Sequence, residues 1–213
     1  MIKGILFDLD GTLLYTLQDL CNAVNYALVN NGLSAISLEK TKEYIGSGIK
    51  NLMIKATKDN PKVFDKAYQD FKDYYSLHCI DTTIPYKGII ELLERLRKLN
   101  IKIAVVSNKY QEGVDRICNK LLKEYIPIFI GARSNIKIKP ETDMVNEALS
   151  RLNLTNNECL FVGDSNVDIQ TAKNANMKSV GVLWGYKDVS GANYKINNPI
   201  ELINIILKEN END

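Results

Sequence analysis

The chain has 213 residues and a mass of 24.1 kDa, enough for one large domain or two small ones. Hydrophobic residues make up 45 % and charged residues 25 %, which excludes disorder, collagen and coiled coil as whole-chain descriptions. Lys plus Arg is 27 against 26 for Asp plus Glu, a formal +1, so no global charge draws the chain to nucleic acid.

The chain opens on a short β-branched apolar run over residues 2–7, read as a strand. Helical texture follows over 17–30, 38–44, 49–57 and 61–77. The passage Pro85-Tyr86-Lys87-Gly88 suits a hinge. Residues 88–99 then carry Ile89, Leu92, Leu93, Leu96 and Leu99 at helical spacing. Strand-like runs at 101–106, 126–130, 159–162 and 179–183 alternate with helical patterns at 111–122, 144–152 and 200–207. The polar tail from residue 209 to 213 is expected to fray.

The strand-like runs lack strict polar alternation, as parallel strands covered on both faces do. Strand and helix in alternation predict an α/β fold: a doubly wound, mostly parallel, Rossmann-like sheet. The gap between the first strand and residue 101 predicts a helical insertion. The expected domains are residues 1–14 with 85–213 as the α/β core, and residues 15–84 as an inserted helical domain.

No apolar run approaches the roughly 20 residues a membrane span needs. Asp8 interrupts the N-terminus before a signal-peptide core could form. A cytoplasmic location and no membrane partner are therefore expected. The four cysteines, at 21, 79, 118 and 159, form no CxxC pair. They read as free buried thiols rather than a zinc site.

Four short strings carry chemistry, each at the carboxyl end of a strand or in the connection after it, where open α/β sheets bind ligands. The first is Phe7-Asp8-Leu9-Asp10-Gly11-Thr12-Leu13. Residues i and i+2 of an extended chain share a face, so Asp8 and Asp10 can enter one crevice. Their repulsion calls for a cation or a shared proton, and Mg²⁺ suits an oxygen donor set. The alternative is an ordinary Asp-Gly turn.

The second string is Gly163-Asp164-Ser165-Asn166-Val167-Asp168, where Asp164 and Asp168 could reach one metal. The competing reading is a helix start, with Ser165 as cap and Asp168 complementing the dipole. The third is Ser107-Asn108-Lys109, where a hydroxyl and backbone N–H groups could hold phosphate or Ser107 or Asn108 could cap a helix. The fourth is Lys139-Pro140, with Lys137 as a rival for Lys139.

Taken in order, the four strings resemble the motifs of the haloacid dehalogenase superfamily. The stretches GDSNVDIQTAKNANM (163–177) and YIGSGIKNLMIKA (44–56) look most like its phosphoglycolate phosphatase-type subfamily. The insertion then looks like that subfamily's small cap. Departures from the pattern are Tyr15-Thr16 for Asp-Ser, Thr142 for a second proline, and Asn176 for a helix-ending glycine. Thr16 and Asp19 are expected to form a capping pair for the first cap helix, and Asn176 to accept left-handed geometry.

The resemblance implies a Mg²⁺-dependent phosphatase acting on a small phosphorylated metabolite. It makes Asp8 the nucleophile that forms an aspartyl-phosphate, and Asp10 the general acid and base. It implies Mg²⁺ on Asp8, Asp164, Asp168 and Asp10, the last through its backbone carbonyl. Thr12, Ser107, Asn108 and Lys139 would hold the phosphoryl oxygens. Gly46, Ser47, Gly48 and Lys50 of the cap would read the substrate, although a plain helix–helix turn also fits Gly46 to Gly48. The expected assembly is a monomer or weak homodimer. A sugar-phosphate mutase, a pyrophosphatase and a non-catalytic regulatory protein remain alternatives; release of inorganic phosphate would separate the mutase, and a broken motif would mark the regulatory protein.

Overall fold

A computed structural model describes residues 1–211. The chain separates into two compact units, Met1–Leu14 with Pro85–Asp213, and Tyr15–Ile84. In chain order come β1 (Gly4–Phe7), β2 (Leu14–Tyr15), α1 (Leu17–Asn30), α2 (Leu38–Tyr44), α3 (Gly48–Ala56), α4 (Pro61–His78) and β3 (Ile84–Pro85). Then follow α5 (Ile89–Lys98), β4 (Lys102–Tyr110), α6 (Gln111–Leu121), β5 (Ile128–Ala132) and α7 (Asp143–Leu152). The chain finishes with β6 (Cys159–Gly163), α8 (Asn166–Asn174), β7 (Lys178–Val182), β8 (Tyr194–Ile196) and α9 (Glu201–Glu211).

The first unit is a six-stranded sheet in the order β5-β4-β1-β6-β7-β8. Every pairing is parallel. All four residues of β1 are buried, so both faces are covered and strict alternation has no reason to appear. On one face, Leu6, Val106, Ile130 and Phe161 pack with Met144, Val145 and Ala148 of α7 and Ala172 of α8. Full burial of such side chains contributes about 1.5–3 kcal/mol each. The chain winds outward from β1 through β4 to β5, then returns to β6 and winds the other way. The order therefore reverses between β1 and β6, which opens a crevice beyond their carboxyl ends.

Three details differ from the sequence reading. The short polar edge strand β8 has no run of apolar residues to announce it. β4 continues past its apolar stretch to Tyr110, with a register break between Val106 and Tyr110. The tail expected to fray is in part held: α9 extends to Glu211, Tyr194 Oη and Lys178 Nζ both donate to the Glu209 carboxylate, and Ile2 N donates to Asn210. Residues 212 and 213 lie outside the described residues.

The second unit is helical. Its α1 begins at Thr16, which forms no side-chain cap on the helix. The expected capping pair is absent because Asp19 is engaged elsewhere. This buried carboxylate accepts hydrogen bonds from the backbone N–H and hydroxyl of Thr82, and from the same two groups of Thr83, at 2.6–3.1 Å. The two ends of the insertion are thereby tied to one side chain. In the first unit, Tyr86 N donates to Leu13 O at 3.1 Å, so the ends of the break in the core are also adjacent.

Candidate active site

β1 is apolar until Phe7, and Asp8 prolongs its ladder by one bond, donating from its N–H to Val162 O at 2.9 Å. That bond sets Asp8 beside the end of β6, where Asp164 follows Gly163. Gly11 turns the chain away with φ of +87°, and a Cβ there would strike the Asp164 carboxylate and the Tyr186 ring. Glycine alone satisfies both the backbone angle and the close approach.

Asp8, Asp164 and Asp168 are all buried, and each can offer an oxygen such that the three lie within 4.8 Å of one another. Lys139 Nζ donates to Asp8 Oδ1 and to Asp168 Oδ1, each at 2.6 Å. Lys137 is exposed and Lys139 is buried, so the lysine facing the carboxylates is Lys139. Its backbone is clamped by Asn108: Lys139 N donates to Asn108 Oδ1 at 2.8 Å, and Asn108 Nδ2 donates to Lys139 O at 3.0 Å. The Lys139–Pro140 peptide is cis.

Asp168 forms the helix start of the competing reading and also turns an oxygen toward the cluster. Its Oδ2 accepts from Ser165 N and Ser165 Oγ, closing a capping box on α8, while Oδ1 meets Lys139. Asp164 Oδ2 accepts from Tyr186 N at 2.6 Å. Gly185 lies against Asp164 so closely that a Cβ would collide with its side chain.

The Asp10 side chain stands apart from this cluster. Lys109 Nζ donates to Asp10 Oδ1 at 2.9 Å and to Oδ2 at 3.0 Å. Ser107 and Asn108 lie in the irregular end of β4 and cap no helix. The residue before α6 is Tyr110, and Ser107 Oγ accepts from Lys109 N at 3.3 Å. Thr12 is buried, and its Oγ1 has no hydrogen-bond partner among the described residues. Its carbonyl accepts from Trp184 Nε1 at 3.0 Å. In the second unit, Ser47 precedes α3, Gly48 opens it, and Gly46 and Lys50 are exposed.

The electrostatics follow from burial. Removal from water pushes the Asp8 carboxyl up to about 7; Lys139 opposes the rise, and Asp168 and Asp10 add to it. Asp164 is also driven well above the carboxylate range, first by burial and then by Asp8 and Asp168. Burial alone would depress Lys139, but Asp168 and Asp8 outweigh it and hold the ammonium charged. The three clustered carboxylates thus face one ammonium, and the donor set is all oxygen. A small hard divalent cation fits such a set.

Two contributors were not assigned from the sequence. Lys109 follows Ser107 and Asn108 with no role readable from its own string, although positions 107 and 109 of an extended strand share a face. The Trp184-Gly185-Tyr186 loop holds Thr12 through the Trp184 indole and Asp164 through the Tyr186 backbone N–H, and the second contact leaves no side-chain signature.

The sequence profile of the haloacid dehalogenase-like hydrolases matches residues 5–182. A phosphoglycolate phosphatase of Aquifex aeolicus is 32 % identical over 96 % of this chain and 97 % of its own. A relative from Caldanaerobacter subterraneus, named as a candidate pyrophosphatase, is 34 % identical over 86 % of this chain and 82 % of its own. A crystal structure from Lactobacillus delbrueckii subsp. bulgaricus superposes with a TM-score of 0.90 at 31 % identity, covering 96 % of this chain and 98 % of that one.

Proposed function

This chain belongs to the haloacid dehalogenase-like hydrolase family, and from that premise we propose that it is a Mg²⁺-dependent phosphatase that hydrolyses a small, phosphoglycolate-like monoester through an aspartyl-phosphate. One observation carries the reading: Asp8, Asp164 and Asp168 converge within 4.8 Å, with Lys139 on two of them. The names of the Aquifex and Caldanaerobacter relatives support phosphate ester or anhydride hydrolysis.

In this reading an Asp8 oxygen attacks phosphorus and the bond to the leaving oxygen breaks. Asp10 gives that oxygen a proton, then takes one from the water that attacks phosphorus and releases Asp8. Lys139, Ser107, Thr12 and the Asn108 backbone hold the phosphoryl oxygens. Asp8, Asp164, Asp168 and the Asp10 carbonyl hold Mg²⁺, which when bound supplies charge neutralisation between Asp8 and the phosphoryl group. In the helical unit, Gly46, Ser47, Gly48 and Lys50 select the substrate.

The test is phosphate release from a panel of small esters and pyrophosphate, with and without Mg²⁺. Metal-dependent release lost by more than about 10³-fold in Asp8→Asn is expected, as for removal of a covalent nucleophile. No release from a folded wild type overturns the reading. Pyrophosphate as the preferred substrate would move it to an anhydride hydrolase. Unchanged ester preference in Lys50→Ala would remove Lys50 from the substrate-reading set.

A further inference from the structure

We infer that Lys109 is a positioning residue for Asp10. The inference rests on the reading of Asp10 as the group that moves the proton. The Lys109 ammonium is 2 % exposed and holds both Asp10 oxygens, at 2.9 and 3.0 Å, whereas the Asp10 side chain is 21 % exposed. Burying an ammonium is costly unless a partner compensates it. The compensating partner is the one aspartate of the site that lies outside the Asp8, Asp164 and Asp168 cluster.

The division of labour is geometric. Lys139 meets Asp8 and Asp168 of the cluster, and Lys109 meets Asp10. Lys109 reaches Asp10 from the irregular end of β4, the neighbour of β1, with its own backbone N–H on Ser107 Oγ at 3.3 Å. A single hydrogen bond leaves a carboxylate free to swivel about χ2. Contact with both oxygens holds the carboxyl group by two bonds and restrains its position. Asp10 must serve a leaving oxygen and then a water at the same phosphorus, and a restrained position is what both duties need.

The experiment compares Lys109→Met, Lys109→Arg, Asp10→Asn and the double variant Asp10→Asn with Lys109→Met. Two substrates are used: an alkyl phosphate, whose leaving oxygen needs a proton, and 4-nitrophenyl phosphate, whose leaving oxygen hardly does. Wild-type turnover of the alkyl ester, lost in Asp8→Asn, secures the phosphatase reading first. Lys109→Met is then expected to lower kcat for the alkyl ester about 30- to 100-fold with KM little changed, less than the roughly 10²- to 10⁴-fold of general acid–base catalysis because Asp10 itself remains. With 4-nitrophenyl phosphate, the first equivalent of nitrophenolate should appear at nearly the wild-type rate, followed by slow turnover, because water activation still needs Asp10.

In the Asp10→Asn background the lysine change should add no further loss, as for two residues acting as one unit. Wild-type behaviour of Lys109→Met would overturn the inference. So would an equal loss of the first-turnover rate with both esters, or a loss that multiplies with that of Asp10→Asn. Each of those would make Lys109 a structural cation only. If Lys109→Met does not fold, Lys109→Arg decides by the same comparison, with the same signature at smaller amplitude expected. No turnover by the wild type sinks both readings.

Discussion

Lys139 Nζ lies 2.6 Å from Asp168 Oδ1, and neither side chain is more than 3 % exposed. The same ammonium meets Asp8, so its removal leaves two buried carboxylates facing each other. Lys139→Met should lower stability by about 3–5 kcal/mol, the cost of breaking a buried pair, read from denaturant unfolding. Addition of Mg²⁺ should recover part of that loss, because a divalent cation replaces the missing charge. Phosphatase activity should fall at least about 10²-fold, as for loss of a preorganised charge at a reacting centre.

The carboxyl of Asp8 predicts a pH signature. Its value in the folded chain is about 7, raised from 3.8 chiefly by burial. A carboxyl raised on folding contributes stability that is complete below its unfolded value and lost as pH climbs through the folded one. The metal-free protein should therefore lose stability between about pH 4 and 7. Mg²⁺ binds the ionised form and competes with the proton. Thermal melts should show a Mg²⁺-induced rise in Tm of several degrees at pH 8 and almost none at pH 5. An equal shift at both values would contradict this.

Gly185 offers a sharper probe of Asp164. Its missing side chain makes room for Asp164, while the next residue, Tyr186, donates its N–H to Asp164 Oδ2. Gly185→Ala must displace the carboxylate or the loop. Mg²⁺ affinity and activity should each drop about 10- to 100-fold, as when a supporting contact to a metal ligand is lost. Isothermal titration with Mg²⁺ checks the first and phosphate release the second. The far-UV circular dichroism spectrum should stay unchanged.

In the helical unit, Asp19→Ala should cost about 3 kcal/mol. It deprives four donors on Thr82 and Thr83 of a charged acceptor. Chemical denaturation monitored by tyrosine fluorescence measures it. Asp19→Asn should lose less, because one amide oxygen remains to accept.

The sheet was legible because its strands are buried on both faces and therefore read as short apolar runs. β8 escaped that test: Tyr194-Lys195-Ile196 lies at the sheet edge, where only one partner strand constrains it. The carboxylate strings stood out because apolar strands rarely end in two aspartates without a reason. Asp168 could not be assigned to one role from sequence, since it holds two: one oxygen caps α8 and the other meets Lys139. Lys109 was hidden because its partner, Asp10, is remote in sequence and a lysine beside a strand end is usually solvated. Asn176 does adopt a positive φ, of 51°, where the family pattern has glycine. Asp19 misled because its spacing from Thr16 fits a cap, and nothing local reveals that Thr82 and Thr83 compete for it.

The tie between Asp19 and Thr82–Thr83 bears on how the chain assembles. β1 must find β4, pairing Gly4 with Lys102 across the whole insertion. If the insertion closes on itself first, its ends act as a short link, and the search shrinks to a loop of ordinary size. Shortening the loop roughly threefold removes about 1 kcal/mol of closure entropy. One carboxylate in the helical unit thus lowers the topological distance that the central parallel pair must cross. Weakening it should slow the docking of β1 on β4 as well as loosen the helices it joins.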